Sequence, residues 1–184
     1  WLLEHRLQLT QAQMLAYPDS LVTPERVQNL ETDLAALKTG KPPQYVIGEV
    51  PFLNLSLAVG PGVFIPRPET EALAHQLTKA AKPPGPILDV GAGTGCLAIS
   101  LAASFPDIPV YALEASVNAM PYLNTNIRNN KVRVTAIHGS IFELSKRCEW
   151  LPESFGLIVS NPPYVKQQES REMAERITAH EPPE

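Results

Sequence analysis

The stretch "PILDVGAGTGCLAISLAASF", residues 86–105, joins a short apolar run to an apolar helical segment through a loop with three glycines. A strand without polar alternation is covered on both faces, and that is the habit of parallel sheets. Parallel neighbours need a crossover connection, usually a helix. The alternation recurs. "PVYALE" (109–114) reads as a strand, "SVNAMPYLNTNIRNN" (116–130) as a helix capped by Ser116, and "VRVTAIHG" (132–139) and "FGLIVSNPP" (155–163) as further strands. Strand–helix alternation of this kind predicts an α/β fold with a doubly wound parallel sheet. Pro121 falls about one turn inside the predicted helix, where it would cost a hydrogen bond.

The first part of the chain has a different period. In "TPERVQNLETDLAALKTG" (23–40), Thr23 suits an N-cap, Pro24 the first helical position and Gly40 the C-terminal cap. Val27, Leu30, Leu34 and Leu37 form one apolar stripe. "WLLEHRLQLTQAQMLAY" (1–17) offers a second helix or two short ones. "FLNLSLAV" (52–59) alternates as a half-buried strand does, "GPG" (60–62) turns, and "VFIP" (63–66) returns as a short partner. "PRPETEALAHQLTKA" (66–80) is a helix with Pro68 and the acids in its first turn, and "AKPPGP" (81–86) is a linker. The expected organisation is a small helical N-terminal domain over 1–50, a β-hairpin connector over 51–66 and the α/β domain over 67–184.

Composition narrows the function classes. With 184 residues, 44% hydrophobic and 18% charged, the chain can bury a core, and no apolar run approaches a membrane span of roughly 20 residues. A formal net charge of −4 without a basic block argues against a free-standing duplex-DNA binder. The two cysteines, Cys96 and Cys148, lack metal-ligand spacing and read as free thiols of a reducing compartment.

Two features carry chemistry. Gly91, Gly93 and Gly95 lie between a strand and a helix, where a ligand can approach the backbone near the helix N-terminus. The spacing is GxGxG, with Cys96 where a dinucleotide fingerprint needs glycine. Glu114 ends the next strand, about 20 residues on, where an acid can accept both hydroxyls of a ribose. Together they suggest a nucleoside held without a pyrophosphate, and S-adenosylmethionine fits. The second feature is the corner Asn161, Pro162, Pro163 and Tyr164, which ends a buried strand with an amide, two prolines and a phenol. A planar NH2 group is a poor nucleophile because its lone pair is delocalised. The Asn161 side-chain oxygen and the Pro162 carbonyl can accept both of its protons, Pro163 stiffens the corner and the Tyr164 ring can stack on a flat substrate. Catalysis would come from orientation and electrostatics.

On "GKPPQYVIGEVPF", "VFIPRPETE", "ILDVGAGTG", "ALEAS", "IVSNPPY" and "HEPPE", the sequence resembles the HemK/PrmC family of S-adenosylmethionine-dependent N5-glutamine methyltransferases, which modify the GGQ motif of peptide-chain release factors. The resemblance implies a Rossmann-like class I methyltransferase fold with a small helical N-terminal domain. It implies that Gly91, Ala92, Gly93, Thr94 and Gly95 wrap the methionine part, that Glu114 holds the ribose and that Ile141 lines the adenine. Asn161 lies between cofactor and substrate, and Asn161, Pro162, Pro163 and Tyr164 bind the glutamine amide. Phe64, Arg67 and Glu71 resemble a segment that folds against this cleft, with a surface ion pair an equal alternative for Arg67. The implied partner is a release factor, with no membrane and no sequence-specific nucleic-acid binding, in the cytoplasm or, for a eukaryotic source, the mitochondrion.

The sequence also departs from the family pattern. Ser140 stands where the family has an acid facing the adenine amino group, and His180 where it has tyrosine. The family continues beyond "EP", so the expectation is a sheet lacking its C-terminal strands. Two other functions stay open: an adenine-N6 nucleic-acid methyltransferase using the same corner, or an inactive truncated remnant.

Overall fold

The computed structural model describes residues 2–19, 21–143 and 151–162. Its N-terminal part is helical. Helices α1 (Leu2–Leu7) and α2 (Gln11–Ala16) are the two short segments, separated where Thr10 and Gln13 form a reciprocal capping box. Helix α3 (Pro24–Lys38) begins with Thr23 accepting from the Arg26 N–H and Pro24 at its start. It ends before Gly40, which adopts a φ of 90° and donates its N–H to Leu37. The apolar stripe is only partly used, because Leu30 and Leu37 are half-buried while Val27 and Leu34 are exposed. The buried residue of α3 is Asp33, gripped by Arg6 of α1, which also donates to the Val46 carbonyl at 3.0 Å. Val46 lies in α4 (Pro43–Ile47), closed by Gly48 in the left-handed region.

The hairpin differs from the expected one. Strand β1 (Glu49–Phe52) pairs antiparallel with β2 (Leu55–Ala58), so "FLNLSLAV" is not one strand but contains the turn. Leu53 takes the turn at a φ of 50°, a conformation alternation alone does not signal in a leucine. Residues 63–66 form no strand. Instead, Val63 and Ile65 are buried with Tyr45, whose hydroxyl donates to the Val63 carbonyl.

Helix α5 (Pro68–Lys79) starts at Pro68 with Glu69 and Glu71 in its first turn. Then come β3 (Ile87–Val90), α6 (Cys96–Ser104), β4 (Val110–Glu114), α7 (Met120–Asn129), β5 (Val134–His138) and β6 (Leu157–Ser160). The four strands form one sheet in the order β5-β4-β3-β6, and every pairing is parallel. Pro121 sits in the first turn of α7, where no intrahelical donor is lost. Ser116 caps the turn before the helix: its hydroxyl and its carbonyl both accept the Ala119 N–H, and the carbonyl also takes that of Met120.

Residue alternation in the strands makes two layers. Ile87, Val110, Ala112 and Val159 face a core shared with Leu97, Ile99 and Leu101 of α6, Leu123 of α7, Ala74 of α5, and Phe52 and Leu57 of the hairpin. Leu88, Leu113 and Ile137 face the other side, toward Leu151 and Phe155. Phe155 meets Tyr111 edge-on at 5.9 Å.

Candidate cofactor cleft and amide corner

The strand order places the site. The chain leaves β3 toward β4 on one side and reaches β6 on the other, so the order reverses at β3. Open parallel sheets bind ligands beyond the carboxyl ends of their strands at such a reversal. The glycine loop follows β3, Glu114 ends β4, Ile141 follows β5, and Asn161 follows β6. Sheet topology thus brings together residues from four separate stretches of sequence.

All three loop glycines have positive φ, 73°, 55° and 82° at Gly91, Gly93 and Gly95, but their surroundings differ. A Cβ on Gly91 or Gly93 would meet nothing within 4 Å, so both face open space. A Cβ on Gly95 would lie 2.6 Å from Leu123 Cδ1 and 3.1 Å from Ile99 Cδ1. Two glycines therefore leave a cradle that a ligand can enter, and the third lets α6 start against α7. Ala92 and Thr94, between the glycines, are buried.

Glu114 locks that loop. Its Oε2 accepts the Gly93 N–H at 2.7 Å and its Oε1 accepts the Ser116 N–H at 2.6 Å. An ionised carboxylate has about four acceptor positions, so each oxygen keeps capacity for one ribose hydroxyl. Open glycines, an acid at the next strand end and the α6 N-terminus fit an adenosine with a cationic amino-acid tail. Ile141 is 43% exposed beyond β5, beside the 89% exposed Phe142, so an apolar surface is available for a base. Ser140 Oγ accepts the Phe142 N–H at 3.3 Å.

Sequence reasoning missed three contributors. Asp89 is buried in β3 and accepts the Ala98 N–H of α6 at 3.0 Å. Burial pushes its carboxyl up to about 7; the Ala98 bond opposes this and the Glu114 charge adds to it. A lone acid in the apolar run "PILDVG" was the available signal. Asn126 of α7, 0% exposed, accepts from Ala58 N at 2.6 Å and donates to the carbonyls of Ala58 and Thr94, at 3.1 and 2.9 Å. It ties the hairpin to the glycine loop, and nothing in the polar string "NTNIRNN" singles it out. Thr70 is the third: Asn161 Nδ2 donates to its Oγ1 at 2.6 Å.

Arg67 stacks over the Phe64 ring at 4.5 Å, a cation–π contact. Glu71 accepts the Leu53 N–H at 2.7 Å, so it holds the hairpin turn against α5. Pro162 is exposed at the end of β6. Pro163, Tyr164, Cys148 and His180 lie outside the described residues. Cys96 is a buried free thiol pushed up to about 12 by burial. Among the described residues no group of His, Cys, Asp and Glu side chains could hold a metal, and no helix is long and apolar enough to cross a membrane.

The parallel order and the cleft define a Rossmann-like α/β fold of the class I methyltransferase type. The Pyrococcus abyssi tRNA (uracil-54, C5)-methyltransferase shares this fold at a TM-score of 0.51 over 62% of this chain and 28% of that one, with 18% identity. A 16S rRNA N2 G1207 methyltransferase from Thermus thermophilus, solved with AdoMet and guanosine, is 25% identical with a TM-score of 0.52, over 64% of this chain and 32% of that one. Residues 55–182 match the methyltransferase small domain, and the chain belongs to that family. Residues 1–48 match the PrmC N-terminal domain. Among curated relatives, the release factor glutamine methyltransferase of Flavobacterium psychrophilum is 36% identical over 98% of this chain and 64% of its own length. That of Escherichia coli is 33% identical over 91% of this chain and 60% of its own. The chain therefore spans somewhat under two thirds of the length of these relatives.

Proposed function

We propose that this chain carries the catalytic cleft of a protein-glutamine N5-methyltransferase, acting on the GGQ glutamine of peptide-chain release factors with S-adenosylmethionine as methyl donor. The carrying observation is the placement of Asn161 and Pro162 at the same sheet reversal as the open glycines and Glu114. The relatives named for this activity supply the substrate class.

Gly91 and Gly93 leave room for the amino-acid tail, Glu114 accepts the ribose hydroxyls and Ile141 covers one face of the adenine. S-adenosylmethionine supplies an electrophilic methyl group on a sulfonium. The chain's own part is to make an amide nitrogen presentable. Asn161 Oδ1 and the Pro162 carbonyl accept its two N–H protons and hold the nitrogen lone pair toward the cleft. Pro163 and Tyr164, which lie outside the described residues, belong in this reading to the same amide-binding tetrapeptide. No strong base is needed, because fixed geometry and matched dipoles do the work. Residues 1–50 dock the protein substrate, 51–66 connect, and 67–184 hold the reaction site, in the compartment where translation terminates.

The test is transfer of labelled methyl from S-adenosylmethionine to a purified release factor, to the same factor with its GGQ glutamine replaced, and to adenine-containing DNA. Label on the first alone is the expected result. Label retained on the replaced factor, or appearing on DNA, would overturn the assignment.

A further inference from the structure

In a two-stranded hairpin both strands are edges, and outward N–H and C=O groups must find water or another part of the chain. Helix α7 meets the outer edge of β2 with side-chain amides. Asn126 Oδ1 accepts the Ala58 N–H at 2.6 Å, and its Nδ2 donates to the Ala58 carbonyl at 3.1 Å. One helical turn later Asn130 Nδ2 donates to the Ser56 carbonyl at 3.1 Å. Four helical residues advance about 6 Å and two strand residues about 7 Å, so the two asparagines run alongside alternate residues of β2. The polarity at Asn126 is settled by its partners, because a backbone N–H can only donate and a backbone carbonyl can only accept.

Asn126 also reaches the glycine loop, where its Nδ2 donates to the Thr94 carbonyl at 2.9 Å. That carbonyl shares a peptide plane with the Gly95 N–H, which the Ala92 carbonyl accepts at 2.7 Å. Both polar ends of this plane are therefore held, in a stretch where Gly93 and Gly95 take φ of 55° and 82°. Glycine permits many backbone conformations, so a loop rich in it keeps one shape where its peptides are fixed from outside. We propose that Asn126 is a positioning residue for cofactor binding that links the hairpin to the glycine loop. Ordering the loop around S-adenosylmethionine then also orders the outer edge of β2 at Ala58, and the effect is reciprocal. This rests on the cofactor reading above. Asn126 is 0% exposed and acts through Thr94 and Ala58 without touching a ligand.

Asn126→Leu keeps the volume and removes all three bonds, whereas Asn130→Ala frees the same edge of β2 without reaching the loop. With the full chain, isothermal titration should show the Kd for S-adenosylmethionine raised about tenfold in N126L, as for a loop in its binding shape about a tenth of the time. N130A should stay within about twofold of wild type. Amide exchange by NMR supplies a readout that a purely structural role would not move. In the wild type, saturating S-adenosylmethionine should slow exchange of the Ala58 N–H about tenfold, and N126L should lose this response. Wild-type affinity in N126L, equal losses in the two variants, or an Ala58 N–H indifferent to the cofactor overturns the proposal. If N126L does not fold, the wild-type exchange comparison decides alone. A wild-type chain that binds no S-adenosylmethionine overturns the cofactor reading instead. Exchange of the Gly95 N–H in ligand-free N126L then decides the link: faster than wild type if Asn126 holds the loop, unchanged if it does not.

Discussion

Gly93 and Gly95 are two residues apart in one loop, both have positive φ, and they should fail in different ways when changed to alanine. At either position alanine carries the left-handed backbone cost of roughly 1–2 kcal/mol. At Gly93 that is nearly the whole cost to folding, since the new Cβ meets nothing within 4 Å and the N–H to Glu114 is retained. At Gly95 the Cβ arrives 2.6 Å from Leu123 Cδ1 and 3.1 Å from Ile99 Cδ1, and both side chains are fully buried, so their ends must shift within the core to admit it. Overpacking of that kind adds about 1–3 kcal/mol, giving roughly 2–5 kcal/mol for G95A. That is a large part of the stability of an ordinary domain, about 5–15 kcal/mol. For binding the order reverses. The Gly93 Cβ points into the space assigned to the amino-acid tail of S-adenosylmethionine, so G93A should weaken it at least about tenfold, or ~1.4 kcal/mol. G95A molecules that remain folded should bind within a few-fold of wild type. Urea unfolding gives the first quantity and isothermal titration with S-adenosylmethionine, at a temperature where both variants are folded, gives the second. Equal stabilities for the two variants, or wild-type affinity in G93A, would refute the division of labour within the loop.

Asn126→Ala removes the side chain that joins β2 to the Thr94 carbonyl and leaves several backbone groups without that partner; about 2–4 kcal/mol of stability should go, measured by urea unfolding. Glu114→Gln sets an NH2 group against either the Gly93 or the Ser116 N–H, so it should cost roughly 1–3 kcal/mol and weaken S-adenosylmethionine binding by calorimetry. Asp89 titrates at about 7 when folded against 3.8 for the ordinary carboxyl, so its stabilising contribution is complete below about pH 4 and is lost as pH rises through 7. At ~1.4 kcal/mol per unit the limit is ~4 kcal/mol, and D89N should flatten the difference in unfolding free energy between pH 5 and pH 8. Ser140→Asp, which restores the acid of the family pattern, should tighten S-adenosylmethionine binding severalfold in the same titration.

The parallel sheet was readable because its strands are continuous apolar runs and its helices carry their own start signals, as Pro24 and Pro68 show. Pro121 was misread for a related reason: Ser116 is a sound cap, but for a turn that precedes the helix, and only hydrogen-bond geometry separates the two. The hairpin was misplaced because its turn falls on Leu53, inside a strand-like alternation, with no glycine at the turn itself. At the site, Glu114 and the glycines declared themselves by position relative to strand ends. The different tasks of Gly93 and Gly95 did not, because they depend on what α7 places nearby. Asn126 and Thr70 were invisible for the same reason, since each acts on a residue remote in sequence.

Four of the buried polar side chains of the α/β part have a common direction. Burying a polar group is unfavourable unless its hydrogen bonds are replaced, so such groups persist where a fixed geometry is needed. Thr70 and Asn126 lie on helices, Asp89 and Glu114 on strands, and each bonds a group at or beneath the cleft: the Asn161 amide, the Thr94 carbonyl, the first turn of α6 and the Gly93 N–H. Among the described residues no buried side-chain nitrogen or oxygen lacks a partner. The apolar layers could hold the sheet together without any of the four. What they could not do is fix the direction of an amide or the height of a glycine loop to a fraction of an ångström, which is what catalysis by orientation demands. The polar core and the candidate cleft are therefore one construction, with hydrophobic packing setting where the strands end and buried hydrogen bonds setting how those ends are aimed.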